Sequence, residues 1–106
     1  MIDIDKKIKI NNLLDYYGNL LTDKQFEMMK YYYQEDFSLA EISEKEHISR
    51  QAVHDSLVKS EAVLENLEFK LGFFKKSSEI KFELHKLLKD ASDEQQIQIN
   101  KIIGLI

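Results

Sequence analysis

Apolar residues recur at helical spacing along almost the whole chain. Ile10, Leu13, Leu14, Tyr17 and Leu21 make one stripe and predict a first helix from about Asp5 to Tyr17, with Gly18 placed to end it. Thr22 followed three residues on by Gln25 is a capping pair, bracketed by Leu21 and Phe26. A second helix is therefore expected to run to about Gln34, with Phe26, Met29 and Tyr33 inward. Tyr31, Tyr32 and Tyr33 cannot all face one way on a helix, so at least one ring is expected near the surface.

The stretch SLAEISEKEHISRQAVHDSLVK, Ser38 to Lys59, carries two helix starts close together. Ser38 with Glu41 is a second capping pair, and Phe37 and Ile42 are placed to touch across it. Ser49 is the next cap, flanked by Ile48 and Val53. So short a connection makes the two helices cross steeply, as in a helix-turn-helix unit. Ile42, Ile48 and Val53 are expected to point inward, and Ser43 is small enough to let the backbones approach. The turn needs a residue with positive φ, and that position falls on His47, a residue type enriched there among non-glycines.

Nothing breaks the second helix between Ser49 and Leu71. Val53, Leu57, Ser60, Leu64, Leu67, Leu71 and Phe74 alternate four and three apart, a heptad seam with one polar member. Such a seam packs on a second subunit or, inside one chain, against the helices that follow. Beyond Gly72, Ile80, Leu84, Leu87, Leu88 and Ala91 predict a helix from about Ser77 or Ser78 to Asp90. Ser92 with Gln95 caps a last one, on which Ile99, Ile102, Ile103 and Ile106 share a face. The chain thus divides into a helix-turn-helix domain over 1–71 and a helical extension over 72–106, which docks on the long helix or on a second subunit.

Composition narrows the class. There is no proline, glycine is scarce, and the expected fold class is all-α. The absence of cysteine removes disulfides and thiolate metal sites and fits a reducing cytoplasm. No apolar run approaches the roughly 20 residues that span a bilayer. The opening MIDIDKKIKINN lacks the apolar core of a signal peptide, so the chain reads as a cytoplasmic protein without membrane insertion. His47, His54 and His85 lack partners at ligand spacing, and there is no glycine-rich phosphate loop. No metal, cofactor or enzyme activity is expected.

Binding remains. On the second helix of the motif, Arg50, Gln51, His54 and Asp55 are not needed for the core and lie in the turns that meet base edges in helix-turn-helix proteins. Arg50, the chain's one arginine, has the planar donor geometry that reads guanine, and Gln51 matches adenine. Lys59, Lys45 and Lys30 are candidate phosphate contacts. Charge opposes them: the net charge is −4, and between Ser38 and Glu61 five acids against three bases leave −2. Asp55 would approach phosphates unless it pairs with Arg50 or Lys59. The most basic stretch, Lys70 to Lys89 interleaved with Glu79 and Glu83, reads as a solvated face or a contact for RNA or an acidic protein.

LLTDKQ at 20–25, YYYQEDFSLAEIS at 31–43 and SRQAVHDSL at 49–57 resemble the YlxM family of small bacterial helix-turn-helix proteins. The likeness covers about residues 8–70. That family's motif is in turn similar to the promoter-reading fourth region of sigma factors. The resemblance implies an all-helical regulatory protein, a homodimer, and a role around the signal recognition particle. The implied partners are DNA, the particle's RNA or its GTPases. The alternative is a protein-interaction module, or an RNA-binding accessory of that particle, that reads no DNA sequence.

Overall fold

The computed structural model describes residues 3–106. Among the described residues six α-helices follow one another: α1 (Ile4–Tyr17), α2 (Asp23–Tyr33), α3 (Leu39–Glu46), α4 (Arg50–Leu71), α5 (Phe73–Leu88) and α6 (Asp93–Leu105). Among the described residues there is no strand, and no helix is long and apolar enough to cross a membrane. The helices sort into two compact units, one ending at Leu71 and the other running from Gly72 to Ile106.

The starts are set by side chains that take up free backbone N–H groups. Asp3 accepts from Asp5 N at 3.0 Å and opens α1. Reciprocal capping boxes open α2 (Thr22 with Gln25), α3 (Ser38 with Glu41) and α6 (Ser92 with Gln95). Ser49 Oγ accepts from Ala52 N at 3.0 Å and opens α4. Each such cap stabilises its helix by about 1 kcal/mol.

In the first unit α4 is the central rod, and α1, α2 and α3 pack around it. Val53, Leu57, Ser60 and Leu64 are buried against Ile10, Leu13, Leu14 and Tyr17 of α1, Met28, Met29 and Tyr33 of α2, and Ile42 of α3. The first half of the seam therefore serves the interior of this unit through the helices that precede α4, and not those that follow, while Leu71 stays exposed. A buried Leu or Ile contributes about 1.5–3 kcal/mol to such a core. The one polar member costs little, because the Ser60 hydroxyl donates to the Ser56 carbonyl at 2.9 Å. Polar contacts line the same joint: Lys6 pairs with Glu61 at 3.1 Å, Lys9 with Glu65 at 3.0 Å, and Tyr17 Oη donates to Glu68 at 2.7 Å.

Two inward assignments change. Met28 is buried beside Met29, whereas Ile48 is 38% exposed. The Ile48 backbone is held instead: its N–H donates to Ser43 O at 3.2 Å and its carbonyl accepts from Ser43 Oγ at 2.5 Å. That fixes the turn while the side chain points out.

In the second unit α5 and α6 pack on each other. α5 begins at Phe73, earlier than the start expected near Ser77 or Ser78, because Gly72 adopts a left-handed conformation (φ 65°) and the chain re-enters a helix at once. It also ends sooner, at Leu88. Ile99, Ile103 and Ile106 are half-buried, while Ile80, Leu87, Ile97 and Leu105 are exposed, and neither helix buries a residue fully.

Gly18 works differently from a left-handed helix stop. Its φ of −55° is open to any residue, and the chain continues as a 3₁₀ turn over Gly18–Leu20. What requires glycine is the ring of Phe26, since a Cβ at Gly18 would lie 2.7 Å from Phe26 Cε2 and 3.1 Å from Cδ2. Gly18→Ala is expected to destabilise the first unit by about 1–3 kcal/mol through overpacking. Gly104→Ala, where nothing lies within 4 Å of the added methyl, should cost nothing. Urea unfolding of the two variants checks the contrast.

Candidate nucleic-acid interface

The interface is built on the turn between α3 and α4. His47 takes the left-handed conformation (φ 57°, ψ 41°) that closes α3. The Ile48 N–H reaching back five residues to Ser43 O is the longer bond of a Schellman closure. With Ile42 and Val53 both buried, the inner sides of the two helices meet in one core, and the outer side of α4 is left to solvent.

The residues singled out from the sequence lie around the exposed part of that helix and at its first residue. Arg50, Gln51, His54, Asp55 and Lys59 are all exposed. They differ in how free their polar groups are. Gln51 Nε2 donates to Asp55 Oδ1 at 2.9 Å, so its amide is already engaged within the helix. Asp55 pairs with neither Arg50 nor Lys59, and its other near neighbour is His54 Nδ1 at 3.6 Å. Lys45 lies over aromatic faces, 5.2 Å from the centroid of Tyr31 and 5.9 Å from that of Phe37. Those two rings are stacked 5.1 Å apart, which is where Phe37 goes on entering α3. An ammonium on two rings gains cation–π attraction it would lose on reaching for a phosphate. Lys30 is exposed near the end of α2.

The acids that made the motif negative are largely turned to partners elsewhere. Glu41 caps Ser38 N at 3.1 Å. Glu46, with only 8% of its side chain exposed, accepts from Lys24 Nζ at 2.8 Å. Donation of that hydrogen bond to Glu46, with the charges of Glu46 and the nearby Glu27, raises the Lys24 pKa above its usual value. Glu61, 13% exposed, takes Lys6 Nζ at 3.1 Å and the Tyr33 hydroxyl. Part of the formal −2 of the motif is thus offset by Lys6 on α1 and by Lys24 on α2, which Glu27 shares at 3.5 Å, while Glu44 on α3 stays exposed. Asp55 is the acid that faces outward among the candidate contacts.

Beside His54, helices α1 to α4 leave a groove of about 220 Å³, with Lys6, Tyr33, Leu39, Val58 and Glu61 among its walls. Sequence spacing gave no sign of this Lys6–Glu61–Tyr33 cluster, whose members lie in three helices. In the second unit, Lys86 pairs with Glu83 at 3.3 Å and sits 4.5 Å from the Phe82 centroid, so part of the lysine-rich stretch is internally satisfied.

A family model described as "Putative helix-turn-helix protein, YlxM / p13 like" matches residues 4–104. The chain belongs to the UPF0122 family. The span reaches past the motifs that end near Lys70, through α5 and most of α6. A UPF0122 protein of Bacillus licheniformis is 45% identical over 101 residues, covering 93% of this chain and 94% of that protein. YlxM of Bacillus subtilis is 43% identical over 95 residues (90% and 86%), and YofM of Lactococcus lactis 42% over 96 (91% and 86%).

In this UPF0122 chain the buried phenol offers a direct test of the α1–α2–α4 joint. Burial, then the hydrogen bond to Glu61, push the Tyr33 pKa far above the usual tyrosine range. The unfolded chain ionises this phenol near pH 10, while the folded one holds it neutral. The stabilisation is therefore complete below about pH 10 and is lost as pH rises beyond it. Tyr33→Phe should flatten the alkaline fall in stability and remove the last-titrating phenol from an ultraviolet tyrosine titration.

Proposed function

We propose that this UPF0122 protein is a cytoplasmic regulatory protein that binds duplex DNA through the first turns of α4. The observation that carries the reading is the exposure of Arg50, His54 and Lys59 on that helix while Glu46 and Glu61 are held by lysines of α2 and α1. Arg50 is the base-reading donor and Lys59 the phosphate contact. Lys45 contributes charge from its aromatic seat but is the weaker contact. Binding is modest and salt-sensitive, because few cations line the face and Asp55 stands among them.

The protein works as a homodimer. Paired helix-turn-helix units meet half-sites about 34–36 Å apart, and the extension of residues 72–106 supplies the subunit contact. The exposed Ile80, Leu87, Ile97 and Leu105 there favour this, since leaving such surface wet costs about 25 cal/mol per Å². The outward carboxylate of Asp55 favours a second reading: an accessory of the signal recognition particle that meets the particle's RNA or GTPase and reads no DNA.

Anisotropy titrations at low salt separate the two. On the preferred duplex, Arg50→Ala is expected to cost about 1–3 kcal/mol, and Lys59→Ala to weaken all duplexes alike and lower the salt slope by about one. If no mixed duplex binds while the particle's RNA does, the second reading replaces the first.

A further inference from the structure

The contact between Gln51 and Asp55 gives that acid a use. We infer that Asp55 is a positioning residue for base readout: it holds the Gln51 amide so that one amide edge is presented to an adenine in the major groove of B-form DNA. This rests on the duplex-binding reading above and names the base it reads.

A primary amide can be turned over with almost no change in shape, exchanging its oxygen and nitrogen. A glutamine alone on a helix surface would present either end. Asp55 removes the ambiguity, because an ionised carboxylate only accepts hydrogen bonds and so must face the NH₂ end. At 2.9 Å from Asp55 Oδ1, Gln51 Nε2 uses one of its two hydrogens there. The other hydrogen and the amide oxygen remain side by side. Adenine shows the complementary pair in the major groove, an acceptor at N7 and a donor at N6. Both residues are exposed on the solvent face of α4, one turn apart, with buried Val53 and Leu57 anchoring the opposite side. The orientation is therefore set before any base arrives, and less rotamer freedom is lost on binding.

The other groups near Asp55 leave this role intact. His54 Nδ1 lies 3.6 Å from the same oxygen, beyond a hydrogen bond, and Arg50 and Lys59 do not pair with it. A carboxylate on a DNA-facing helix repels phosphates, so its presence lowers affinity for every sequence alike. Positioning of Gln51 converts that loss into discrimination. The inference also selects the nucleic acid, since the major groove of an A-form RNA helix is too deep and narrow for side chains to read.

The test begins with selection from a randomised duplex pool by the wild-type protein, followed by anisotropy titration on the selected site and on the site with its adenine replaced. The wild type should fix an adenine at one position per half-site, and Gln51→Ala should lose that preference. Asp55→Ala should bind all duplexes somewhat more tightly while its preference at that adenine falls roughly tenfold. Asp55→Asn, whose amide can either accept from Gln51 or donate to it, should keep only part of the preference. Circular dichroism should show all three variants as helical as the wild type, because neither site is buried. The inference is overturned if Asp55→Ala keeps the full adenine preference, if Asp55→Asn keeps it undiminished, or if no adenine is selected. Failure of the wild type to bind any duplex would sink the duplex-binding reading itself, a result distinct from binding with an unaltered preference.

Discussion

Burial of one stripe of α4 by the three helices that precede it is the constraint on which the first unit depends. Val53, Leu57, Ser60 and Leu64 have essentially no solvent contact, and Ile42 and Tyr33 meet them from two directions. With that side committed inward, Gln51, His54, Asp55 and Lys59 fall on the other sides of the helix, while Arg50, in line with the stripe, is exposed because it is the first residue of α4. The left-handed turn at His47 sets where α4 begins relative to α3. A core contact and a surface array are thus two sides of the same 22-residue helix.

The same packing reorganises the electrostatics. Helices distant in sequence bring Lys6 and Lys24 to acids of the motif, so local charge counting overstates how negative the exposed face is. Lys45 moves the other way, since it is placed on the Tyr31–Phe37 stack. What remains outward is a small set spread around α4: one arginine and one carboxylate-held glutamine in its first turn, and one lysine about two turns further on.

Much of this was legible in the sequence because local rules govern it. The capping pairs Thr22–Gln25, Ser38–Glu41 and Ser92–Gln95 are chemistry within one turn, and each forms as its spacing implied. His47 was marked by the need for positive φ. The membership of Val53, Leu57 and Leu64 in a stripe was equally plain. Which partner the stripe met was not, because periodicity names a face and leaves its neighbour open. Gly18 and Ile48 misled for a related reason. The ring against Gly18 comes from the next helix, and the turn holds Ile48 by its backbone instead of its side chain. The Lys6–Glu61–Tyr33 cluster had no signal at all, being assembled from three separate helices.

The central claim is that the outer first turns of α4 meet nucleic acid while its inner stripe stays packed. Backbone amide shifts followed by NMR during a low-salt titration with duplex DNA test it most directly. The account predicts perturbations concentrated on residues 50–59, with the amides of α1 largely unmoved. Perturbations confined to residues 73–105, or none at all, would contradict it.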